Sequence, residues 1–434
     1  MWEGIQENRP PVWKHLPQLS LEERDRRWEE IRWRMVLWDL DCLLIFGDDF
    51  IEYVSSIASN ANVVIFPIEG EPIAYYAHRP FDWQWDYGVG QIWVKNCRVI
   101  SEGLIAQDVI QTLKELGFTS PGAHIGVVGQ KGSKYRMSST TPAMASVIKQ
   151  ALPEATFMNA TPILEELRLI KSPEEIKFLE KAGEIAYAMF EACVKTMETP
   201  GARECDIAAA MLNASLVNGG RLTTGTRVWL PMLDVGKYPL MHAKERPVYT
   251  TRKIEKGDIA IMEWHSGYGG YTTANEHSYS LGEPVKEYRD IADVTEECFK
   301  RGFEACKPGN TLSKVVEAFR TPCYEAGMAY VELGIHGHGL YTSELPAYVY
   351  PPPEEQYRLN VSLHGKKPPS QLPSPAAESI RMKPGMVFGT NIDVYNPKWR
   401  ESTLMLGDTI LITETGAKKL TPIPTEFTII KYKE

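Results

Sequence analysis

An α+β fold with two domains is predicted from three features of the sequence. Short apolar runs bounded by turn residues alternate with helical segments up to about residue 164. A new helix start with a clear capping signal then follows at Ser172. Further on, a glycine-rich hairpin runs from Gly257 to Gly282, with polar residues at period two beside apolar neighbours. Since a chain of 434 residues exceeds what one hydrophobic core usually organises, we predict domains over 1–164 and 165–434.

The first domain is predicted to be an α/β unit. Ser20 is a candidate N-cap for a helix that begins at Leu21, because Glu23 stands at its third position. A second helix is predicted around 105–117. The sheet is predicted from apolar runs at 42–47, 62–68, 72–78, 91–96 and 124–129.

The second domain is predicted to begin with an amphipathic helix. Ser172 is its N-cap, Pro173 occupies the first helical position and Glu175 the third, which together predict a capping box with an N-terminal proline. Beyond it we predict helices at 204–218, 286–306 and 311–327, and strands at 226–233, 387–395 and 408–413. The proline-rich stretch 350–376 is predicted to be a long surface loop or lid.

Composition excludes several classes of function. The chain is 43% hydrophobic and 24% charged, with a formal net charge of −9 and no lysine- or arginine-rich block, so we expect no nucleic-acid partner. No run of about 18 apolar residues occurs, so we expect no membrane span or membrane partner, and we find no signal-peptide pattern. The seven scattered cysteines form no CxxC pair, which favours reduced thiols in a cytoplasmic protein.

The hairpin over 257–282 predicts a pocket. Glu263 and His265 are two apart on its first strand, and Ala274 and Glu276 are two apart on its second. Alternation along a strand places each pair on one face. We therefore expect these side chains to line a site of enzyme type.

The order of motifs in the second domain resembles a known family. An IKSPEEI entry helix, a Gly-Asp-initiated hairpin, an HGHG segment, a PGMVF strand and a GDTILIT strand follow one another. The same order is found in the pita-bread fold of methionine aminopeptidase, prolidase, aminopeptidase P and creatinase. The resemblance covers about 165–434 and extends more weakly to the first domain, which it implies to be creatinase/prolidase-like.

The resemblance implies five positions that bind two metal ions in the metallopeptidases of that family. Here they fall on Glu263, Ala274, His336, Asn391 and Gly407. Alanine and glycine side chains offer no donor atom, and asparagine is a weak neutral ligand, so the carboxylates that offset two dications are missing. We therefore expect no dinuclear centre, no bound metal and no other cofactor. A rearranged mononuclear site, built from Glu263, His265, Glu276 and His336, stays open.

Within that family the pattern is most similar to creatinase, which works without metal. TTRK-x-x-KGD, from Thr250 to Asp258, precedes the hairpin, and Ala274 is followed two residues later by Glu276. The creatinase base falls on His242, and Asn391 departs from a substrate-binding glutamate. The resemblance thus implies a metal-independent hydrolase that cleaves a C–N bond of amidine or amide type in a small nitrogenous molecule, acting as a homodimer.

The predicted site residues follow from these positions. We expect His242 to be the general acid–base, since an imidazole titrates near neutral pH, together with Glu276 and His336. The HGHG segment that contains His336 is predicted to be a glycine-rich turn. The residues predicted to bind substrate are Glu263, Asn391, Tyr271, Trp264 and Tyr341. His265, His277 and His338 are expected to be structural or supporting residues. Creatine itself is not the expected substrate, because 53–66 contains no arginine to grip its carboxylate.

Three other functions stay open at this point. One is a lyase that eliminates a leaving group from a small zwitterion. Another is a catalytically inactive pseudo-peptidase that only binds its ligand. The last is an Xaa-Pro-type metallopeptidase with a rearranged metal site.

Overall fold

The chain divides into two compact units, each with its own sheet system. The computed structural model describes residues 17–56, 61–76, 93–101, 105–129, 142–221, 223–224, 227–228, 230–240, 249–349 and 380–432. The units are Met1–Leu167 and Arg168–Glu434. The predicted mixed α and β class, with an N-terminal and a C-terminal domain, is confirmed. The exact boundary at 164/165 stays a prediction.

The first unit is built on a six-stranded mixed sheet. Its strands are β1 (Cys42–Ile45), β2 (Ala61–Pro67), β3 (Ile73–Tyr76), β4 (Asn96–Val99), β5 (His124–Val128) and β6 (Thr156–Asn159), in the order β4-β3-β2-β1-β5-β6. Its helices are α1 (Leu21–Leu37), α2 (Asp48–Ser55), α3 (Ile105–Glu115), α4 (Pro142–Ala151) and α5 (Thr161–Arg168). β1 lies at the centre, antiparallel to β2 and parallel to β5, and its four residues are all buried.

The second unit contains two larger sheets and four helices. The helices are α6 (Pro173–Met197), α7 (Glu204–Val217), α8 (Lys286–Ala305) and α9 (Leu312–Glu325). A short hairpin is formed by β7 (Thr223–Thr224) and β8 (Arg227–Val228). One sheet, in the order β18-β11-β10-β9, consists of β9 (Met232–Gly236), β10 (Ile259–Tyr268), β11 (Tyr271–Leu281) and β18 (Thr428–Ile430). The other consists of β12 (Ala329–Gly339), β13 (Tyr341–Val349), β14 (Val387–Tyr395), β15 (Thr403–Leu406), β16 (Thr409–Ile412) and β17 (Ala417–Lys419).

Each large sheet has a helix pair on its outer face. α6 and α7 share a buried apolar cluster with β10 and β11, which includes Met189, Met211 and Met262. α8 and α9 share another with β12, β14 and β16, which includes Phe319 and Phe388. Because each strand buries one face against helices, its other face is turned toward the opposite sheet. The polar side chains of the hairpin lie in this space between the sheets.

The start of α6 follows the predicted capping box. The Glu175 backbone N–H donates to Ser172 Oγ at 3.2 Å, and the Ser172 N–H donates to Glu175 Oε2 at 2.8 Å. These two bonds satisfy backbone donors that a helix start leaves unpaired. The domain-entry helix is therefore confirmed at its predicted residue.

Other elements differ from the sequence prediction. Helices α2, α4 and α5 and strand β6 were not predicted, and within the described residues 93–96 of the predicted strand at 91–96 only Asn96 belongs to a strand, β4. The HGHG segment was expected to be a turn, yet His336 lies inside β12, which pairs with β14. The predicted loop at 350–376 lies outside the described residues. In the parts of the chain that are described, no helix is long and apolar enough to cross a membrane.

Candidate active site

The strand pair β10–β11 forms one wall of the site. Glu263 stands opposite Glu276 in the antiparallel register, and His265 stands opposite Ala274. Since alternate residues of a strand share a face, all four side chains lie on one side of the sheet. Asn391 of β14 donates a hydrogen bond to Glu276, so this side faces the second sheet. The structure thus brings together the residues that their spacing places on one face.

Two aromatic residues predicted to bind substrate lie on the other face, which corrects that prediction. Trp264 is fully buried in the helix-facing core, where its indole N–H donates to the Ala186 carbonyl oxygen at 3.4 Å. The Tyr271 hydroxyl is equally buried and donates to Glu175 Oε1 at 2.9 Å. Each of these two positions is an odd number of residues away from the site-facing residues of its strand. Since side chains alternate between the two faces of a strand, both point toward α6. His242 and the side chain of Tyr341 lie outside what the structure describes.

Glu276 is a deeply buried acid of the hairpin. It is 1% exposed, and its Oε1 accepts a hydrogen bond of 2.5 Å from Asn391 Nδ2. Burial, followed by the negative charges of Glu263 and Glu332, raises the pKa of Glu276 well above its ordinary value. This carboxyl is therefore held in its neutral form over a wider pH range than a surface glutamate.

Glycine at position 407 makes room for that carboxyl. The backbones of Glu276 and Gly407 exchange two hydrogen bonds of 3.0 Å each, so they are direct neighbours. A Cβ at 407 would lie 2.8 Å from Glu276 Oε2 and 2.3 Å from the Thr390 carbonyl oxygen. A side chain at 407 and the observed Glu276 position are thus incompatible.

Asp393 is a buried acid of the site that the sequence prediction missed. It has no exposed surface, and neither of its carboxyl oxygens has a hydrogen-bond partner among the described residues. Burial raises its pKa well above the ordinary value, and the charges of Glu276, Glu332 and Glu263 act in the same direction. It could have been found from the sequence, because it stands two residues after Asn391 on a predicted strand.

Three histidines line the same space. His265 Nε2 lies 3.1 Å from Glu263 Oε1, and its ring stacks on that of His338 with centroids 6.0 Å apart. The His336 ring is tilted against His338 at a centroid distance of 5.1 Å. His265 and His338 were expected to be structural, yet they lie in this cluster beside His336, which was predicted to be catalytic.

Burial keeps two of these imidazoles neutral. It lowers the pKa of His336 to about 4 and that of His338 well below its ordinary value. His338 Nδ1 donates to the Thr272 carbonyl oxygen at 2.9 Å, which leaves its Nε2 as an acceptor. Gly389 provides the space for both rings, because a Cβ there would lie 2.8 Å from the His336 ring and 3.0 Å from His338.

A buried ion network supports the strand that follows the histidines. Glu344 of β13 accepts from Arg168 Nη2 at 2.6 Å and from Lys171 Nζ at 2.8 Å. Although burial acts to raise the pKa of Glu344, the two cations lower it below its ordinary value. The network ties the first residues of the second unit to the β12–β13 strand pair.

The residues present do not fit a two-metal centre. Of the five positions that the family resemblance assigns, Glu263 and His336 keep a strong donor, Asn391 is already engaged with Glu276, and Ala274 and Gly407 have none. In the described part of the chain, no group of three or more His, Cys, Asp or Glu side chains is arranged to hold a metal ion. The site instead combines buried imidazoles with lowered pKa values, buried carboxyls with raised pKa values and the Glu263–His265 pair.

Comparison with curated proteins shows relatives among dipeptidases. The chain is 28% identical over 275 residues to the probable dipeptidase PepE of Mycobacterium tuberculosis, covering 62% of this chain and 63% of that protein. It is also 28% identical over 274 residues to the Xaa-Pro dipeptidase of Pyrococcus furiosus, covering 61% and 66%. The matched part is therefore just under two thirds of the length of these relatives.

Solved structures share the fold over nearly the whole chain. Dipeptidase PepE from Mycobacterium ulcerans has a TM-score of 0.70 at 20% identity, covering 96% of this chain and all of that one (100%). An Xaa-Pro dipeptidase from Bacillus anthracis has a TM-score of 0.69 at 22% identity, covering 94% and 99%. These matches establish the pita-bread architecture with its additional N-terminal domain.

The comparisons overturn the creatinase-like prediction of function. The relatives above are dipeptidases and Xaa-Pro dipeptidases, which act on peptide bonds, so the prediction of a metal-independent, non-peptide C–N hydrolase is wrong. The creatinase-like prediction depended on two local features, Ala274 and the segment before the hairpin, whereas the comparisons use the sequence and fold of the whole domain. The family model for metallopeptidase family M24 matches residues 177–414, more than half of the chain, and the protein belongs to that family.

Proposed function

We propose that this protein is a hydrolase of peptide bonds in short peptides, with dipeptides of Xaa-Pro type as its substrates. Membership of the M24 family and the dipeptidase relatives support the reaction class. The observation that carries the proposal is the Glu263–His265 pair, whose oxygen and nitrogen are 3.1 Å apart in the space between the sheets. Glu263 is 13% exposed at its side chain, so a substrate can reach it, unlike Glu276 or Asp393.

Peptide hydrolysis needs a base for the attacking water, a proton for the leaving nitrogen and hydrogen bonds to the oxygen that becomes negative. In this proposal the Glu263–His265 pair takes a proton from water and returns it to the departing amine. Hydroxide forms the new bond to the carbonyl carbon while the C–N bond breaks. Glu276 and His336, both predicted as catalytic, lie deeper in the cluster, where the raised pKa of Glu276 favours its protonated form, which can donate a hydrogen bond.

The donor set gives no preformed place for two metal ions, so none of the steps above is assigned to a metal ion. The residues that the family uses for metals are replaced at two positions by groups without a donor atom, Ala274 and Gly407. An assay must therefore be run both with added Mn²⁺ or Zn²⁺ and with a chelator. The two conditions separate hydrolysis by the side chains from hydrolysis by an added ion.

The test is release of free proline from Gly-Pro and Ala-Pro by the purified full chain. We expect turnover of these dipeptides, and a loss of about a hundredfold or more in Glu263→Gln, the range typical of a lost acid–base group. Asp290→Asn, an exposed change on α8, is the matched control and should keep full activity. Binding of Gly-Pro without release of proline under either metal condition would instead identify a pseudo-peptidase and refute the proposal.

A two-fold dimer is proposed as the assembly, as for the creatinase-like proteins that the sequence resembles. The described residues include exposed apolar side chains such as Leu216 and Val217 at the end of α7. Light scattering of the purified protein tests the proposal, and a mass of one chain, 49.0 kDa, would contradict it.

A further inference from the structure

His338 connects the two large sheets of the second unit beside the base of the proposed reaction. Its backbone belongs to β12, yet its Nδ1 donates to the carbonyl oxygen of Thr272 on β11 at 2.9 Å. The Thr272 hydroxyl oxygen lies 3.4 Å from the same nitrogen. Because the imidazole is completely buried and held at this nitrogen, its ring is fixed in one orientation.

An irregular stretch of β12 lies directly at this histidine. The pairing of β12 with β13 shifts its register between Ile335 and Gly337, and again between Gly337 and His338. Irregularities of this kind bend a strand and re-aim the side chains next to them, and they are over-represented beside active sites. The backbone therefore departs from a regular ladder at the residue whose ring reaches the opposite sheet.

The fixed ring of His338 lies almost parallel to the ring of His265. The two planes differ by 18° and the ring centroids are 6.0 Å apart, which is within the range of offset-stacked aromatic pairs. His265 Nε2 lies 3.1 Å from Glu263 Oε1. Turning His265 about its Cβ–Cγ bond moves Nε2 away from Glu263, and this torsion is intrinsically soft. A parallel neighbour opposes the turn, because a ring turned out of its plane would meet the face of His338.

Histidine at position 338 leaves the fold with a buried acceptor. Nε2 of His338 has no hydrogen-bond partner among the described residues, and the side chain is 0% exposed. Burying a polar atom without a partner is unfavourable, so an apolar side chain would serve packing alone better. Histidine is retained where a flat ring must also be tied at one edge by an N–H donor. The unpartnered Nε2 thus supports a role in positioning rather than in packing.

We propose that His338 is a positioning residue for the Glu263–His265 pair, which holds the His265 ring with Nε2 toward Glu263. Its effect on turnover rests on the proposed function, whereas the orientation of His265 can be measured in the protein without substrate. His338 does not need to touch the substrate, because it acts through His265. Since Glu263 keeps its access to the substrate, a misplaced ring should lower kcat and leave KM nearly unchanged.

The first experiment compares variants of the full chain that keep or remove the ring at 338. His338→Ala loses the ring and its bond to Thr272, so kcat for Gly-Pro should fall about tenfold or more while KM changes less than about twofold. His338→Phe restores a flat ring without that bond and should recover kcat to within about threefold of wild type. His277→Ala is the matched control, because it removes a buried imidazole of the same hairpin that packs against Phe190 of α6. The control should lose stability and keep kcat.

The second experiment observes the His265 ring directly, at one pH and without substrate. Spectra of protein with ¹⁵N-labelled histidine report the tautomer of each ring, and comparison with His265→Gln assigns the signals of His265. A ring held with Nε2–H toward Glu263 gives a single tautomer, whereas a ring that turns gives averaged shifts. We expect a single tautomer in the wild type, His338→Phe and His277→Ala, and averaged shifts in His338→Ala. If His338→Ala does not fold, His338→Asn replaces it, because its amide N–H can still reach the Thr272 carbonyl while the ring is absent.

Two results would contradict this role for His338. One is a folded His338→Ala whose His265 spectrum is unchanged, whatever its kcat. The other is a loss of kcat in His277→Ala as large as in His338→Ala, which would show a general effect of removing a buried ring. If the wild type does not hydrolyse Gly-Pro, the proposed function fails and the spectra alone decide the role of His338. Hydrolysis by a wild type whose His265 shifts are already averaged would keep the peptidase and reject the positioning role.

Discussion

Asn391 Nδ2 lies 2.5 Å from Glu276 Oε1 and joins the two sheets of the second unit through buried polar groups. Burial, followed by the negative charges of Glu263 and Glu332, raises the pKa of this carboxyl well above its ordinary value, although the hydrogen bond from the amide acts in the opposite direction. A carboxyl of this kind stays protonated in the folded chain at pH values where the unfolded chain has lost the proton. Folding is therefore favoured at low pH by this group, and the contribution is lost as the pH rises toward the folded-state pKa.

Glu276→Gln should remove that pH dependence. Above the unfolded-state pKa, the wild type loses up to about 1.4 kcal/mol of unfolding free energy per pH unit through this one group. The variant keeps the hydrogen-bonding shape without the proton, so its stability relative to wild type should improve from about pH 5 to about pH 8. Urea unfolding at each pH measures the difference. A constant difference would mean that Glu276 is ionised in the folded state.

His336 should produce the opposite trend at acid pH. Its pKa is lowered to about 4 by burial, so the unfolded chain binds a proton between its ordinary value of 6.5 and about 4 while the folded chain does not. Stability is thus lost as the pH falls through that window, by roughly 3 kcal/mol at its lower end. His336→Gln should be less sensitive to acid than the wild type. Unfolding by urea at about pH 7 and about pH 4.5 gives the comparison, and equal sensitivity would contradict the buried neutral form.

Gly407→Ala should destabilise the second unit. The added Cβ would meet both Glu276 Oε2 and the Thr390 carbonyl oxygen at distances shorter than contact. Overpacking of this kind costs typically about 1–3 kcal/mol. Because the carbonyl belongs to the backbone, Glu276→Ala in the same chain should restore only part of the loss. Thermal unfolding of the single and double variants tests this, and full rescue would place the whole conflict at the carboxyl.

Glu344→Gln should be among the most damaging conservative changes. It leaves Arg168 and Lys171 buried with an uncharged partner, and breaking a buried ion network costs about 3–5 kcal/mol. The matched control is Glu180→Gln, whose partner Lys418 is exposed and whose loss should cost less than about 1 kcal/mol. Denaturant unfolding compares the two variants. Equal losses would show that the Glu344 network does not stabilise the fold.

The sequence predicted the fold class and the hairpin well because both depend on local patterns. The capping box at Ser172 and the alternation of Glu263 with His265 are set by spacing along the chain, so they can be read without coordinates. The prediction that Trp264 and Tyr271 bind substrate is wrong because it considered only their closeness in sequence to the site residues. Both occupy the alternate positions of their strands, whose side chains point to the other face.

Contacts between strands that are far apart in the sequence could not be predicted from it. The hydrogen bond between Glu276 and Asn391 joins residues that are 115 positions apart. The importance of Gly407 and Gly389 depends on the atoms of other strands that a side chain at either position would contact. His336 was expected in a turn because its segment is rich in glycine, but the glycines of β12 and β14 serve close packing around imidazole rings. The prediction of function is wrong for a related reason, because it infers the substrate from the absence of metal-binding side chains.

The β10–β11 hairpin keeps its anchoring and its chemistry on opposite sides of the same strands. Trp264 and Tyr271 fix the register against α6, while their immediate neighbours carry the acids and histidines. Substitutions on the face that carries the acids and histidines, as at Ala274, can therefore change the chemistry of the site without disturbing the contacts that anchor the strands to α6. Inserting or deleting one residue would instead exchange the two sides and bring Trp264 into the space between the sheets. Redesign of this protein toward another substrate should accordingly vary residue identity and leave strand length untouched.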